Sequence, residues 1–243
     1  MSFSYSPKIV TDGLVLYLDA ANTRSYPGSD TVWVDLSRSG NTGTLVNGPT
    51  FNSGNGGSIV FDGTNNFVEF GDVLDLGTNS MTVNQWVMLN TVSTQFFLSK
   101  ALANLQNYRF STGVNFNSPT NRLVAFMQGN GGAGTDINPY GSTILSANTW
   151  FMATFVFERS STIKIYYNGV LETLTGNATI SQWNGLNFQS INPFRVGTYT
   201  ASNNTGVYFP TNGKIAITQV YHRVLTPTEI LQNYNATKSR FGL

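Results

Sequence analysis

Short runs of alternating apolar and polar side chains, separated by Gly, Asn, Asp, Ser and Thr, fill the chain from end to end. They fall at residues 14–18, 32–34, 44–46, 59–61, 67–70, 81–89, 95–99, 108–111, 123–127, 150–157, 163–167, 170–174, 194–196 and 214–222. A period of two is the mark of strands that bury one face. In IVFDGTNNFVEF, residues 59–70, two such runs flank a turn of Asp62, Gly63, Thr64, Asn65 and Asn66. Asp, Asn and Gly tolerate the backbone angles of tight turns, so this segment predicts a β-hairpin. Asn168-Gly169, between TIKIYY and VLETLT, is the strongest short-range hairpin signal in the chain.

One helix is signalled, in LTPTEILQNY. Thr226 is placed to cap it, Pro227 suits its first turn, and Glu229 completes a capping box. Ile230, Leu231 and Tyr234 then share its apolar face. So many strands with no helices between them predict an all-β, antiparallel jelly-roll sandwich closed by one short C-terminal helix. No composition shift marks a linker and no long repeat occurs, so residues 1–243 are expected to form one domain.

Composition narrows the function classes. The 243 residues carry a formal net charge of +1, and only 10% are charged, so no basic field exists to attract nucleic acid. Lys238 and Arg240 form the one tight basic pair and read as a solvated tail. Cysteine is absent, which removes disulfides and thiolate metal sites. The start, MSFSYSPKIV, lacks the pattern of a signal peptide, and no apolar run approaches the roughly 20 residues that cross a bilayer. The expectation is a protein made in a cytoplasm, without membrane insertion. Sequons at Asn177, Asn203 and Asn235 are then chance matches.

Five segments, in order, resemble the laminin-G-like, concanavalin-A-like jelly-roll family: GGSIVFDGTNNFVEF, MTVNQWVMLN, NTWFMATFVFERSSTIKIYYNGVLE, NPFRVGTY and GKIAITQVYHRVLTPTEILQNY. The third looks like the family's tryptophan strand followed by a strand ending in Tyr-Asn-Gly-Val. The fifth looks like its closing strand, Tyr-x-Arg-x-Leu turn and terminal helix. The earlier GLVLYLDAANTRSYPGS resembles the opening of versions common in bacteriophage virion proteins, especially those of marine phages. The resemblance implies a virion component that binds other virion subunits or copies of itself, and host-surface glycans as a further ligand. A calcium-dependent lectin and a glycoside hydrolase are the alternatives, because the family hosts all three.

Hydrolysis needs two carboxylates about 5 to 10 Å apart across a groove. The family's Glu-x-Asp-x-x-Glu strand pattern is missing, and Glu69, Glu158, Glu172 and Glu229 are scattered. His222, the single histidine, stands where a strand runs into its turn, with no nucleophile beside it in the sequence. A non-enzymatic protein is expected. Calcium, which family members often bind through loop oxygens, has its candidates in Asp62 and in Asp72 with Asp75 of GDVLDLG. The closing strand departs from the family by carrying Ala216 and Ile217 where acidic residues are common, which weakens that expectation.

A glycan site needs an aromatic face ringed by amides and hydroxyls. Two long loops offer these groups. Residues 129–149 carry Asp136, Asn138 and Tyr140, and residues 198–213 carry Tyr199, Asn203, Asn204, Tyr208 and Phe209. Loops of this length in a compact domain are more often functional than connective. Rim packing, protein contact and sugar binding all remain open for them. Trp86 and Trp150 read as core, whereas Trp33 and Trp183 are undecided, and Trp183 in SQWNGLN joins the binding candidates.

Overall fold

The computed structural model describes residues 8–101, 108–117, 120–129, 136–200 and 206–243. Two antiparallel sheets face each other. The first has the order Val170–Leu171, Ile163–Tyr167, Trp150–Phe157, Met81–Leu89, Asn212–Tyr221, Ser58–Asp62 and Thr50–Asn52. Leu14–Asp19 joins it on Asn212–Tyr221, along the edge that Ser58–Asp62 leaves open. The second has the order Asp136–Ile137, Leu123–Gln128, Arg109–Val114, Gln95–Lys100, Phe194–Val196, Phe67–Glu69, Gly43–Val46 and Val32–Trp33. A small ribbon pairs Tyr199–Thr200 with Val207–Tyr208.

The inner faces meet in one large apolar core. Val83, Val87 and Phe155 of the first sheet share it with Phe97, Ala125 and Met127 of the second. Trp33 belongs to this core and is fully buried, which settles its reading.

The helix runs from Pro227 to Thr237, and its capping box is present. It covers the outer face of the first sheet. Trp86 stacks on Phe241 with ring centroids 4.1 Å apart and on Tyr234 at 5.8 Å, and its indole N–H donates to Thr237 Oγ1 at 2.8 Å. Ile230, Asn233, Tyr234 and Thr237 face the sheet at the i, i+3, i+4, i+7 spacing of one helical stripe. Leu231, expected on that face, is exposed instead. The polar Asn233 takes the buried position because Val10 N–H donates to its side-chain oxygen while its Nδ2 donates to Tyr221.

The Asn168-Gly169 turn forms as expected, with Tyr167 opposite Val170 and positive φ at both turn residues, 50° and 80°. The segment at residues 59–70 does not form a hairpin. Ser58–Asp62 pairs with Thr50–Asn52 and Asn212–Tyr221 in the first sheet, while Phe67–Glu69 pairs with Gly43–Val46 and Phe194–Val196 in the second. The polar turn is therefore an arch between the sheets. Asp62 Oδ1 accepts from the amides of Thr64 and Asn65, and the Gly63 amide donates to Thr211 O. Asn66, nearly buried, closes the arch by accepting from the Asp62 amide and donating to Asn47 O.

Candidate functional site: an aromatic cleft on the second sheet

The outer face of the second sheet has no helix over it among the described residues, yet it carries large apolar side chains. Strand alternation sends Ala125 and Met127 into the core and Phe126 and Gln128 the opposite way. Phe96 likewise points away from its core neighbour Phe97, and forms a separate small cluster with Ala101, Tyr199 and the partly buried Phe116. Phe96, Phe116, Phe126 and Tyr199, with Arg109, Asp136, Tyr208 and Phe209, line a cleft of about 280 Å³.

Three strands supply the floor and the ribbon supplies one wall. Phe96, Phe116 and Phe126 are linked by tilted and edge-on contacts at 5.3 and 5.5 Å between centroids. Tyr199 lies 5.0 Å from Phe96, and Phe209 lies 5.9 Å from it. Tyr208 and Phe209 stay partly exposed at the mouth.

The polar groups sit at one end. The Arg109 guanidinium lies over the Phe126 ring at 5.1 Å, donates to the Tyr199 hydroxyl at 3.0 Å, and stands 4.0 Å from Asp136. Gln128 also donates to the Asp136 carboxylate. Burial pushes the Tyr199 phenol up to about 12, with the Arg109 charge pulling the other way. Tyr199 is therefore a protonated hydroxyl at neutral pH, and the Arg109–Asp136 pair leaves the cleft close to neutral overall.

The sequence candidates divide sharply. Asp136, Tyr199, Tyr208 and Phe209 meet in the cleft. Asn203 and Asn204 lie outside the described residues. Tyr140 and Asn138 are half-buried, and the Tyr140 backbone bridges Val124 and Thr175 instead of lining the cleft. Trp183 is buried in the main core against Phe188, and its carbonyl accepts from Arg159. Phe96, Arg109, Phe116 and Phe126 were not legible as site residues. For Phe96 and Phe126 the signal is QFFLSK and LVAFMQ, strands whose residues are all buried although only one of their faces meets the core.

The proposed calcium ligands have other partners. Asp72 and Asp75 do converge, but on the Lys100 ammonium, at 2.8 and 3.3 Å, and Asn192 O accepts from the same nitrogen at 2.9 Å. Lys100 is 2% exposed, so a fixed positive charge fills this oxygen cage. Asp62 is occupied by its turn. Among the described residues no group of three or more His, Asp or Glu is arranged to hold a metal. As arranged, these residues do not fit a resident calcium ion.

A larger cleft of about 790 Å³ lies between the Leu14–Asp19 strand and the C-terminal residues. Its central charges are already paired, Arg240 with Asp19 at 2.6 Å and the Arg240 guanidinium with the carbonyls of Asn55 and Gly57. Tyr17 is the one aromatic residue among the described residues that line it. Its described lining offers no stacking surface comparable to that of the aromatic cleft.

Solved structures of low sequence identity share the architecture. Domain 4 of AbnA, a GH43 extracellular arabinanase from Geobacillus stearothermophilus, solved in complex with arabinotriose, aligns with a TM-score of 0.64 at 17% identity, over 93% of this chain and 100% of that one. The binding domain of Paraclostridial Mosquitocidal Protein 1 aligns with a TM-score of 0.66 at 14% identity, over 92% of this chain and 52% of that one. This chain thus spans about half of that binding domain. The heptameric SAP-like pentraxin from Limulus polyphemus aligns with a TM-score of 0.55 at 19% identity, over 72% of this chain and 79% of that one. A search of curated protein sequences returns no match. Residues 62–231 match the Laminin_G_3 model, and the two-sheet sandwich agrees with it: the chain belongs to the concanavalin A-like lectin/glucanases superfamily.

Proposed function

We propose that this chain is a non-enzymatic binding domain whose aromatic cleft takes a glycan, and that it is displayed on a bacteriophage particle, where that glycan belongs to the host surface. The observation that carries the binding role is the convergence of six aromatic residues, Tyr199 among them, with the Arg109–Asp136 pair on a face that no helix covers among the described residues. Rings of this kind offer apolar faces to the C–H face of a sugar, while the hydroxyl and carboxylate at one end fix its orientation. The cleft, at about 280 Å³, is near the small end of ligand sites, which run from about 300 Å³ upward. One or two sugar units match that size. A domain of the same architecture solved with arabinotriose adds support.

Among the described lining residues there is one carboxylate, Asp136. A glycosidase needs a second across the bond it cleaves, which supports binding without hydrolysis. The particle setting rests on the resemblance of residues 13–29 to phage versions of the fold. Contact with neighbouring subunits is supported by Val170 and Leu171, exposed on an edge strand beside exposed Leu231. Multiple copies would raise a weak sugar affinity by avidity.

An array of immobilised oligosaccharides, probed with the purified chain, tests the binding role. Retention on at least one glycan, lost in Tyr208→Ala, is expected, and retention on none overturns it. The solution mass tests the assembly role: a defined oligomer is expected, and a monomer at high concentration opposes self-association.

A further inference from the structure

Among the described residues, nine other than glycine have positive φ, and seven of them are asparagine. Asparagine is the ordinary choice there, because its short side chain bonds locally and carries little steric penalty. Two exceptions stand out, Leu74 and Phe209. Leu74 is 7% exposed and packs in the main core, so the core accounts for it. Phe209, with φ of 48°, is 42% exposed and belongs to no core cluster.

The backbone around Phe209 is clamped. Its carbonyl accepts from the Phe96 amide at 3.0 Å, Tyr208 O accepts from Thr198 Oγ1 at 3.2 Å, and Thr211 donates through its amide to Gly197 O at 2.8 Å and through Oγ1 to Phe96 O at 2.9 Å. These bonds hold whichever residue stands at position 209 in the same conformation. The ring packs only in part, against Phe96 and Phe116 with centroids 5.9 and 6.1 Å away, and the residue stays 42% exposed. Strain that surrounding structure enforces around a half-exposed ring concentrates at binding sites.

We infer that Phe209 is the stacking platform of the cleft, a residue kept in an unfavourable conformation because its ring must lie at the mouth, against the C–H face of a neutral sugar ring. This rests on the glycan reading of the cleft. Phe96 and Phe126, 1% and 2% exposed, form the floor and cannot present a face of that size. Phe209, beside Tyr208 at 6.1 Å, can.

Four variants test it: Phe209→Gly, Phe209→Asn, Phe209→Ala and Phe209→Trp, each measured for melting temperature and for binding to a panel of neutral oligosaccharides of glucose, galactose, mannose and arabinose. Gly and Asn are expected to melt above Ala, because they release the backbone strain that Ala retains. All three are expected to bind at least tenfold more weakly than the parent, while Trp keeps the affinity within a few-fold. A parent that binds and a Phe209→Gly variant that binds equally well overturns the platform and leaves the cleft reading intact. A parent that binds none of the panel overturns both. Equal melting of the Gly and Ala variants contradicts the strain on which the inference stands.

Discussion

The Lys100 ammonium lies 2.8 Å from Asp72 Oδ1, on the rim of the second sheet where the sequence places two loop carboxylates in calcium-ligand guise. Asp75 and Asn192 O complete its shell, and the lysine is almost wholly buried. Removing one partner of a buried pair leaves the others uncompensated, at about 3 to 5 kcal/mol. Asp72 is half exposed here and can be rehydrated, so Lys100→Met is expected near the low end, about 3 kcal/mol. Urea unfolding measures it. The same arrangement predicts that chelation of divalent ions leaves the melting temperature of the parent unchanged, and a drop of several degrees would contradict the built-in cation.

Tyr199 ties the ribbon to the strand that carries Arg109. Tyr199→Phe removes a nearly buried acceptor of a charged donor, and such bonds contribute about 1.5 to 3 kcal/mol. A loss of about 2 kcal/mol in denaturant unfolding is expected. Glycan affinity should fall as well, because Arg109 loses one of the contacts that aim it.

Glu229 gives a pH dependence with a definite sign. The hydrogen bond from Arg223, with those from Thr226, holds its carboxyl down to about 2. A carboxyl depressed in the folded state stabilises fully above its unfolded value, near 4.3, and loses that contribution as pH falls through the folded value. The stability gap between the parent and Glu229→Gln should therefore be constant from pH 7 to about 5 and shrink toward pH 2. A gap that widens on acidification would contradict the assignment.

Local chemistry was legible in the sequence wherever it is self-contained. The capping box of Thr226 and Glu229 and the turn at Asn168-Gly169 involve residues within a few positions of one another, and both form as read. Strand positions followed from alternation, yet the strand partners beyond that turn did not. Residues 59–70 read as a hairpin because a polar turn between two alternating runs looks the same whether the runs pair or cross to opposite sheets. The helix face was misjudged at Leu231 because Asn233 finds buried hydrogen bonds to Tyr221 and to Val10, the latter 223 residues away in sequence.

The cleft was half legible for the same reason. Long polar loops that carry aromatic residues stand out in a sequence, so Asp136, Tyr199, Tyr208 and Phe209, which line the cleft, were among the candidates. Phe96 and Phe126 hide in strands, where an apolar residue is assumed to face the core until the register assigns it to the other face. Asp72 and Asp75 looked like ion ligands because their partner, Lys100, is 28 residues from Asp72 along the chain.

Amide chemical-shift mapping is the most direct test of the binding claim. The labelled chain would be titrated with the neutral oligosaccharide that it retains most strongly on the array. Saturable shifts are predicted at Phe96, Arg109, Phe126, Asp136, Tyr199, Tyr208 and Phe209, around the cleft. Shifts confined to the larger cleft near Tyr17 and Arg240, or none at millimolar sugar, would contradict the account.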